Sequence, residues 1–290
     1  MTYLHCPYSG SDVRTADANT EHIIPLTLGG SDSFTIQVAK DRNSLFNREI
    51  DEPLKKSLFV ATARRRHDAR GHRKAKVPPP KSNAKFAKNG TPLRLAFTED
   101  KKLRFENAIT LEPITIEDIR ENGLQLSVSV ERNLRLRFTA KVGLAGGFLL
   151  YGQRLAEAEI SLRTLANYGG HYHDEQAIQA LKLTGWYWPQ EAPTDGSLIH
   201  AVLVDVAKVM DCSLVCFITS VKENHLFVAV ALLGELAGAL MIPVKENLAA
   251  NTPEFDLGHV FVLEKSKCRR VSFRNLLIEY NARKQSTSEA

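Results

Sequence analysis

Cysteine is scarce in this chain, with four in 290 residues, at positions 6, 212, 216 and 268. Four scattered thiols cannot make the framework of a small disulfide-stapled domain. Cys212 and Cys216 fall inside an apolar stretch and read as small buried thiols. No run approaches the roughly 18 consecutive apolar residues that a membrane-spanning helix needs. The opening Met1-Thr2-Tyr3-Leu4-His5-Cys6 has neither a basic nor an apolar segment, so no signal peptide is expected. A reducing, cytoplasmic setting is therefore expected. No internal repeat is visible. Acidic residues are nearly missing from one long stretch, Lys55 to Arg94, which holds thirteen Lys or Arg against the single acid Asp68.

That stretch carries +12, so the rest of the chain carries −7 within a total of +5. A basic block of this size is either a solvated tail or a surface for a phosphate backbone, and nucleic acid is the favoured partner. With 43% hydrophobic and 24% charged residues, the chain has the composition of one large or two modest globular domains.

The residues richest in chemistry lie near the N-terminus. Thr20-Glu21-His22-Ile23-Ile24-Pro25 sets an acid beside a histidine at the end of a short apolar strand, expected over residues 21–26 with Pro25 ending it. Leu28-Gly29-Gly30 then permits a reversal, and Phe34 to Val38 alternates as a second strand. Asp41 is a candidate N-cap for a helix from about Arg42 to Lys56, interrupted or ended near Pro53. Asn43 and Asn47, four apart, project from one face of that helix. An imidazole and hard oxygen donors are what metal-assisted phosphodiester hydrolysis requires.

Glu21-His22-Ile23-Ile24-Pro25, Leu28-Gly29-Gly30, Val38, Asn43 and Glu49-Ile50-Asp51 together resemble an HNH (ββα-metal) endonuclease over about residues 1–57. The resemblance implies His22 as general base, with Glu21 and Asn43 holding one Mg²⁺ or Mn²⁺. It also implies a middle residue that orients the base. The family's asparagine is missing there, and Thr35 stands nearest, offering a hydroxyl or its carbonyl. Many relatives carry a zinc knuckle of two Cys-x-x-Cys pairs. Here Cys6 remains, but Ser9, Ala39 and Arg42 occupy the other slots, and one cysteine cannot build a tetrahedral thiolate site. No structural zinc is expected, and Tyr3, Leu4, Ile23, Val38 and Leu45 are expected to hold the motif by packing.

The fold class expected is α+β. An HNH-like module over 1–57 leads through a basic helix and linker over 58–90 to a larger α+β domain over 91–290, with a mostly antiparallel sheet. The linker is placed at residues 81–90. Arg64, Arg65, Arg66, Arg70, Arg73, Lys74 and Lys76 are the candidate phosphate contacts; His67 and His72 read as exposed members of the same block. Further on, residues 91–98 and 102–106 read as a hairpin, and Thr115 as the cap of a short helix within 114–125. Residues 126–130 read as a strand, and two helices, about 134–151 and 153–168, should pack on a sheet. Ile199–Val206, Leu214–Val221, Leu226–Leu233 and Ala239–Val244 read as a four-strand meander with turns at 223–224 and 234–238. Phe273–Tyr280 reads as a helix and 284–290 as disordered.

His171 and His173, with Asp174 and Glu175, have metal-ligand residue types but no recognised spacing and form a rival site. Trp186, Tyr187 and Trp188 could stack bases or fill a core. The functional expectation is a metal-dependent endonuclease acting on DNA, with RNA open. The first alternative is a catalytically degenerate nucleic-acid-binding protein of the same fold. The other is a defence or toxin-type effector whose C-terminal domain senses a signal, or joins a second copy or a regulatory partner.

Overall fold

The computed structural model describes residues 1–78, 80, 83–97, 102–127, 132–167, 184–186, 197–219, 224–244, 248, 253–255, 257–264 and 267–288. It is an α+β chain built on antiparallel sheets. Strands β1 (Tyr3–Cys6) and β2 (Ser11–Arg14) pair antiparallel, as do β3 (Ala18–His22) and β4 (Thr35–Ala39). Helix α1 (Lys40–Phe46) follows β4 directly. It starts earlier than expected, with Ala39 at the N-cap, so Asp41 lies in the first turn, where its charge suits the helix dipole instead of capping. The helical path widens into a π-turn, Asn47–Asp51, before α2 (Glu52–Lys56). Pro53 does not end this path: it sits in the first turn of α2, directly after the π-turn. Helix α3 (Leu58–Arg66) closes the segment.

A four-stranded sheet of order β7-β6-β5-β8 comes next, from β5 (Asn83–Phe86), β6 (Pro92–Phe97), β7 (Leu103–Asn107) and β8 (Leu124–Ser127). The expected linker at 81–90 therefore contains a strand. Ala84, Phe86 and Leu93 give it a small buried core of its own, which sequence polarity around them concealed. Helix α4 (Ile116–Asn122) opens on a capping box between Thr115 and Asp118, as its cap residue suggested.

The centre of the molecule is α5 (Arg132–Tyr151), buried on almost every side. Gly143 and Gly146 let it lie close on a sheet, since a Cβ at either would meet Val228 or Phe217 at 2.9 Å. Helix α6 (Ala156–Asn167) packs beside it. The sheet has order β14-β13-β10-β11-β12-β9: β9 (Thr184–Trp186), β10 (Ser213–Thr219), β11 (His225–Leu232), β12 (Glu235–Pro243), β13 (Gly258–Glu264) and β14 (Lys267–Ser272). Alternate residues serve two cores. Val215, Phe217, Val228, Val230 and Leu240 face α5 and the N-terminal strands. Leu214, Cys216, Ala229, Ala231 and Val262 face α7 (Ser197–Met210) and α8 (Phe273–Ser288). Burial of both faces explains why these strands read as continuous apolar runs.

Several expectations are corrected. Ile199–Val206 is part of helix α7, not a strand; its β-branched residues suggested extension, but Leu203, Val206, Ala207 and Met210 form a buried stripe at helical spacing. The turn placed at 234–238 is the two-residue loop Leu233-Gly234, both with positive φ (54° and 87°), and β12 begins at Glu235. Residues 284–288 continue α8. Residues 168–183 and 187–196, with His171, His173, Tyr187 and Trp188, lie outside the described residues, as do 128–131 and 220–223.

One apolar core crosses the boundary expected at residue 57. Ile23, Ile24, Leu28, Phe34, Phe46, Ile50 and Leu54, all at most 1% exposed, share a cluster with α5, α6 and the large sheet. Tyr3 is exposed and takes no part. Cys6 and Tyr8 are buried in this core, with the Tyr8 ring edge-on to Phe46.

Candidate active site

The β3–β4 ladder sets the first geometry. Its register runs from Ala18 opposite Ala39 to His22 opposite Thr35. Side chains alternate along β3, so Glu21 turns inward at 9% exposure while His22 stays partly open. Assigned β3 ends at His22, earlier than expected, although Ile23 N still donates to Phe34 O (3.1 Å). The chain then reverses through Gly29, whose φ of 82° is left-handed. A Cβ on Gly30 would sit 1.7 Å from Ile24 O, so this turn admits only glycine there.

Glu21, His22 and Asn43 line one cleft of about 370 Å³ together with Asn19, Asn47, Asp51, Gly71 and His72. The wide π-turn keeps Asn43, Asn47 and Asp51 turned toward the same opening although they span more than two helical turns. Asn43 Nδ2 donates to Asn19 Oδ1 (3.1 Å), which leaves the Asn43 amide oxygen for another partner.

The side chain that holds the His22 imidazole is Asp32, on the β3–β4 turn, with Nε2 to Oδ1 at 2.9 Å. The sequence placed this role at Thr35, which instead pairs with His22 across the ladder. Because an ionised carboxylate only accepts, Nε2 carries the proton in this contact and the neutral ring keeps its lone pair on Nδ1. His72 comes from the basic segment, its ring centroid 5.1 Å from that of His22.

The floor of the cleft carries a buried charge triad. Lys141 of α5, fully buried, donates from Nζ to Glu21 Oε1 and Asp51 Oδ2, both at 2.6 Å. Burial alone would lower the Lys141 pKa, but the charges of Asp51 and Glu21 and the hydrogen bonds they accept outweigh it and keep the ammonium protonated. Burial raises the Asp51 carboxyl against the opposing pull of Lys141. Asp51 Oδ1 is buried without a hydrogen-bond partner among the described residues, and so is Tyr8 Oη. The Tyr8 phenol is pushed well up, first by burial and then by the Glu21 and Asp51 charges.

The candidate phosphate contacts divide into two groups. Arg64 donates to Thr27 O (2.7 Å) and Lys55 O (3.3 Å), Arg65 to Val77 O (2.8 Å), and Arg66 to Leu233 O and Asp211. Arg70 pairs with Asp68. Arg73, Lys74 and Lys76 are exposed on the segment that brings Gly71 and His72 to the cleft. Arg94, at the end of the basic stretch, joins Arg104 on the buried Glu106.

At the slots of a zinc knuckle, Cys6 Sγ accepts from Ala39 N (3.2 Å) and Ser9 Oγ donates to Cys6 O (3.4 Å). Asp32, Asp51, His72 and Lys141 were not assigned roles from sequence. Asp32 looked like one more polar turn residue in Ser31-Asp32-Ser33. Lys141 did leave a trace, as the one charge in the otherwise uncharged run Phe138–Gln153. No family model matches this chain, and no curated protein or solved structure matches it significantly.

Proposed function

We propose that this chain is a metal-dependent endonuclease that hydrolyses phosphodiester bonds in DNA at the cleft lined by Glu21, His22 and Asn43. The observation that carries the reading is convergence. Residues 22 and 43 belong to different elements, yet β3, β4 and α1 turn both toward one opening, with a carboxylate beside them. The donor set fits a hard divalent cation, because Glu21, Asn43 and Asp51 Oδ1, unpartnered among the described residues, offer oxygen ligands. When bound there, Mg²⁺ or Mn²⁺ would stabilise negative charge on the phosphate and on the departing oxygen.

His22 takes the proton from the attacking water. Asp32 holds the Nε2–H tautomer, so Nδ1 is the accepting atom, and the carboxylate stabilises the imidazolium that forms. Glu21 and Asn43 would hold that ion beside the reacting phosphate, in the same cleft as the base. Arg73, Lys74 and Lys76 draw the backbone to the cleft without reading its sequence.

Supercoiled plasmid incubated with Mg²⁺ or Mn²⁺ tests the reading. Wild type should nick it, and His22→Ala should be slower by about 10²–10⁴-fold, the usual worth of a general base. Equal nicking by the two proteins would sink the assignment. A structured RNA run in parallel decides between the two nucleic acids.

One observation favours a second reading, a nucleic-acid-binding protein without the chemistry. The Lys141 ammonium already engages Glu21 Oε1 and Asp51 Oδ2, a charge that competes with a dication. On this reading DNA binds, weakening steeply with salt, and neither Mg²⁺ nor Mn²⁺ elicits cleavage.

A further inference from the structure

His72 stands outside the chemistry described above, on a segment that reads from sequence as solvated and basic. It nevertheless lies over His22, with ring centroids 5.1 Å apart and the rings inclined at 58°. One ligand atom from each of His22, Asp32 and His72 falls within 4.8 Å of the others. Three elements of separate origin meet here: the end of β3, the turn after it and the loop beyond α3. Local contacts bring the loop to this place. Arg64 ties α3 to Thr27 O at 2.7 Å. Gly71 lies so near that a Cβ on it would touch Thr27 Cγ2 at 3.0 Å. Lys74 N closes the following turn onto Gly71 O (2.8 Å), with His72 inside it.

We propose that His22, Asp32 and His72 form a second metal site, selective for a borderline transition-metal dication such as Zn²⁺ and separate from the oxygen-lined floor at Glu21, Asn43 and Asp51. Two imidazoles and one carboxylate suit Zn²⁺ or Co²⁺, whereas Mg²⁺ favours oxygen ligands. Bonds of about 2.0–2.1 Å to a tetrahedral ion put ligand atoms roughly 3.3 Å apart. The exposed His72 side chain can close that distance by a small swing, and the fourth position is left to water.

The site shares His22 with the nuclease reading, so occupancy has a consequence that rests on that reading. A neutral imidazole has one proton and one lone pair. An ion on Nε2 sends the ring proton to Nδ1, and an ion on Nδ1 takes the lone pair directly. Either way His22 can no longer accept a proton from water. The site is a switch that silences the base while leaving the oxygen donors untouched.

Titration of the full chain with Co²⁺, followed by its visible absorption and by calorimetry, tests the site without reference to catalysis. Wild type should bind one Co²⁺ with an absorption band typical of four-coordination, Zn²⁺ should displace it, and His72→Ala should bind at least ~10-fold more weakly. A wild type that binds no Co²⁺, or a His72→Ala protein that binds it equally well, overturns the proposal. Nicking assays then read, for each protein separately, the ratio of rates with and without Zn²⁺ at saturating Mg²⁺. The ratio should fall for wild type and stay near one for His72→Ala; equal suppression of both overturns the proposal. A wild type that never nicks defeats the nuclease reading, while Co²⁺ binding still decides the metal site.

Discussion

His22 and Asp32 form a dyad in which the carboxylate fixes the ring's tautomer, and the two residues differ sharply in exposure: the His22 side chain is 21% exposed and that of Asp32 72%. An exposed partner of this kind contributes little to stability but a good deal to the orientation of a base. Asp32→Asn should therefore lower plasmid nicking by about 10²-fold or more with an unchanged melting temperature. Thr35→Ala should alter initial rates little, and the reverse ranking would return the orienting role to Thr35. The basic residues divide in the same way. Arg73→Ala and Lys76→Ala should each reduce the slope of log affinity against log salt by about one and leave thermal stability alone. Arg64 donates to two backbone carbonyls. Its replacement by alanine should cost about 1.5–3 kcal/mol in a denaturant melt, the usual worth of hydrogen bonds from a charged group. A list of arginines in sequence could not make this division, because a guanidinium that clamps a phosphate and one that clamps a carbonyl have the same composition.

Helix α5 bears a buried charge whose partners no local pattern discloses. Lys141→Met leaves Glu21 and Asp51 facing each other in the interior without their ammonium, and removing one partner of a buried ion network costs about 3–5 kcal/mol. The loss should depend on pH. Burial already raises the Asp51 carboxyl in the intact protein, and without Lys141 the rise is larger. A carboxyl whose folded pKa exceeds its unfolded value contributes stability below the unfolded value, about 4, and loses it as pH climbs through the folded value. The variant's deficit should thus be small near pH 4–5 and greatest at neutral pH, and Lys141→Met/Asp51→Asn should recover part of it. A deficit that does not change with pH, followed by chemical denaturation, would separate Lys141 from these carboxylates. Elements whose order is set by short-range chemistry were legible in the chain. The β3–β4–α1 succession, the Thr115 cap and the α5–α6 pair announce themselves through turn glycines, a capping box and helical spacing. Helix α7 did not, because Ile199, Val202, Val204 and Val206 favour extension locally and only packing against β10 to β13 selects the helical stripe. The Lys141 contact spans 120 residues to Glu21 and 90 to Asp51, beyond any periodicity argument.

On the scale of the whole molecule, residues 1–57 and the large sheet are one packed body. Phe34 lies against Phe261 with ring centroids 4.6 Å apart. Ser213 Oγ at the start of β10 donates to Leu28 O (3.2 Å) and accepts from Leu233 N (3.0 Å), so the glycine turn of the motif is bonded to the β10 and β11 strand ends. Arg66 reaches Leu233 O and Asp211 on the same side. A fragment holding only residues 1–90 would bare Ile23, Ile24, Phe34, Phe46, Ile50 and Leu54, now at most 1% exposed, and would leave Glu21 and Asp51 without Lys141. At about 1.5–3 kcal/mol for each large apolar side chain, exposing even half of that set reaches the roughly 5–15 kcal/mol that holds a whole domain together. The fragment should therefore lack a cooperative thermal transition, be cut rapidly by protease, and fail to nick DNA at any Mg²⁺ concentration. Mixing it with residues 91–290 should restore protection if the two pieces can refold together. A 1–90 fragment that melts cooperatively near the temperature of the full chain would mean that the shared core is dispensable. In that case the cleft is held by its own short strands and helices, and α5 is a neighbour of the site instead of its floor.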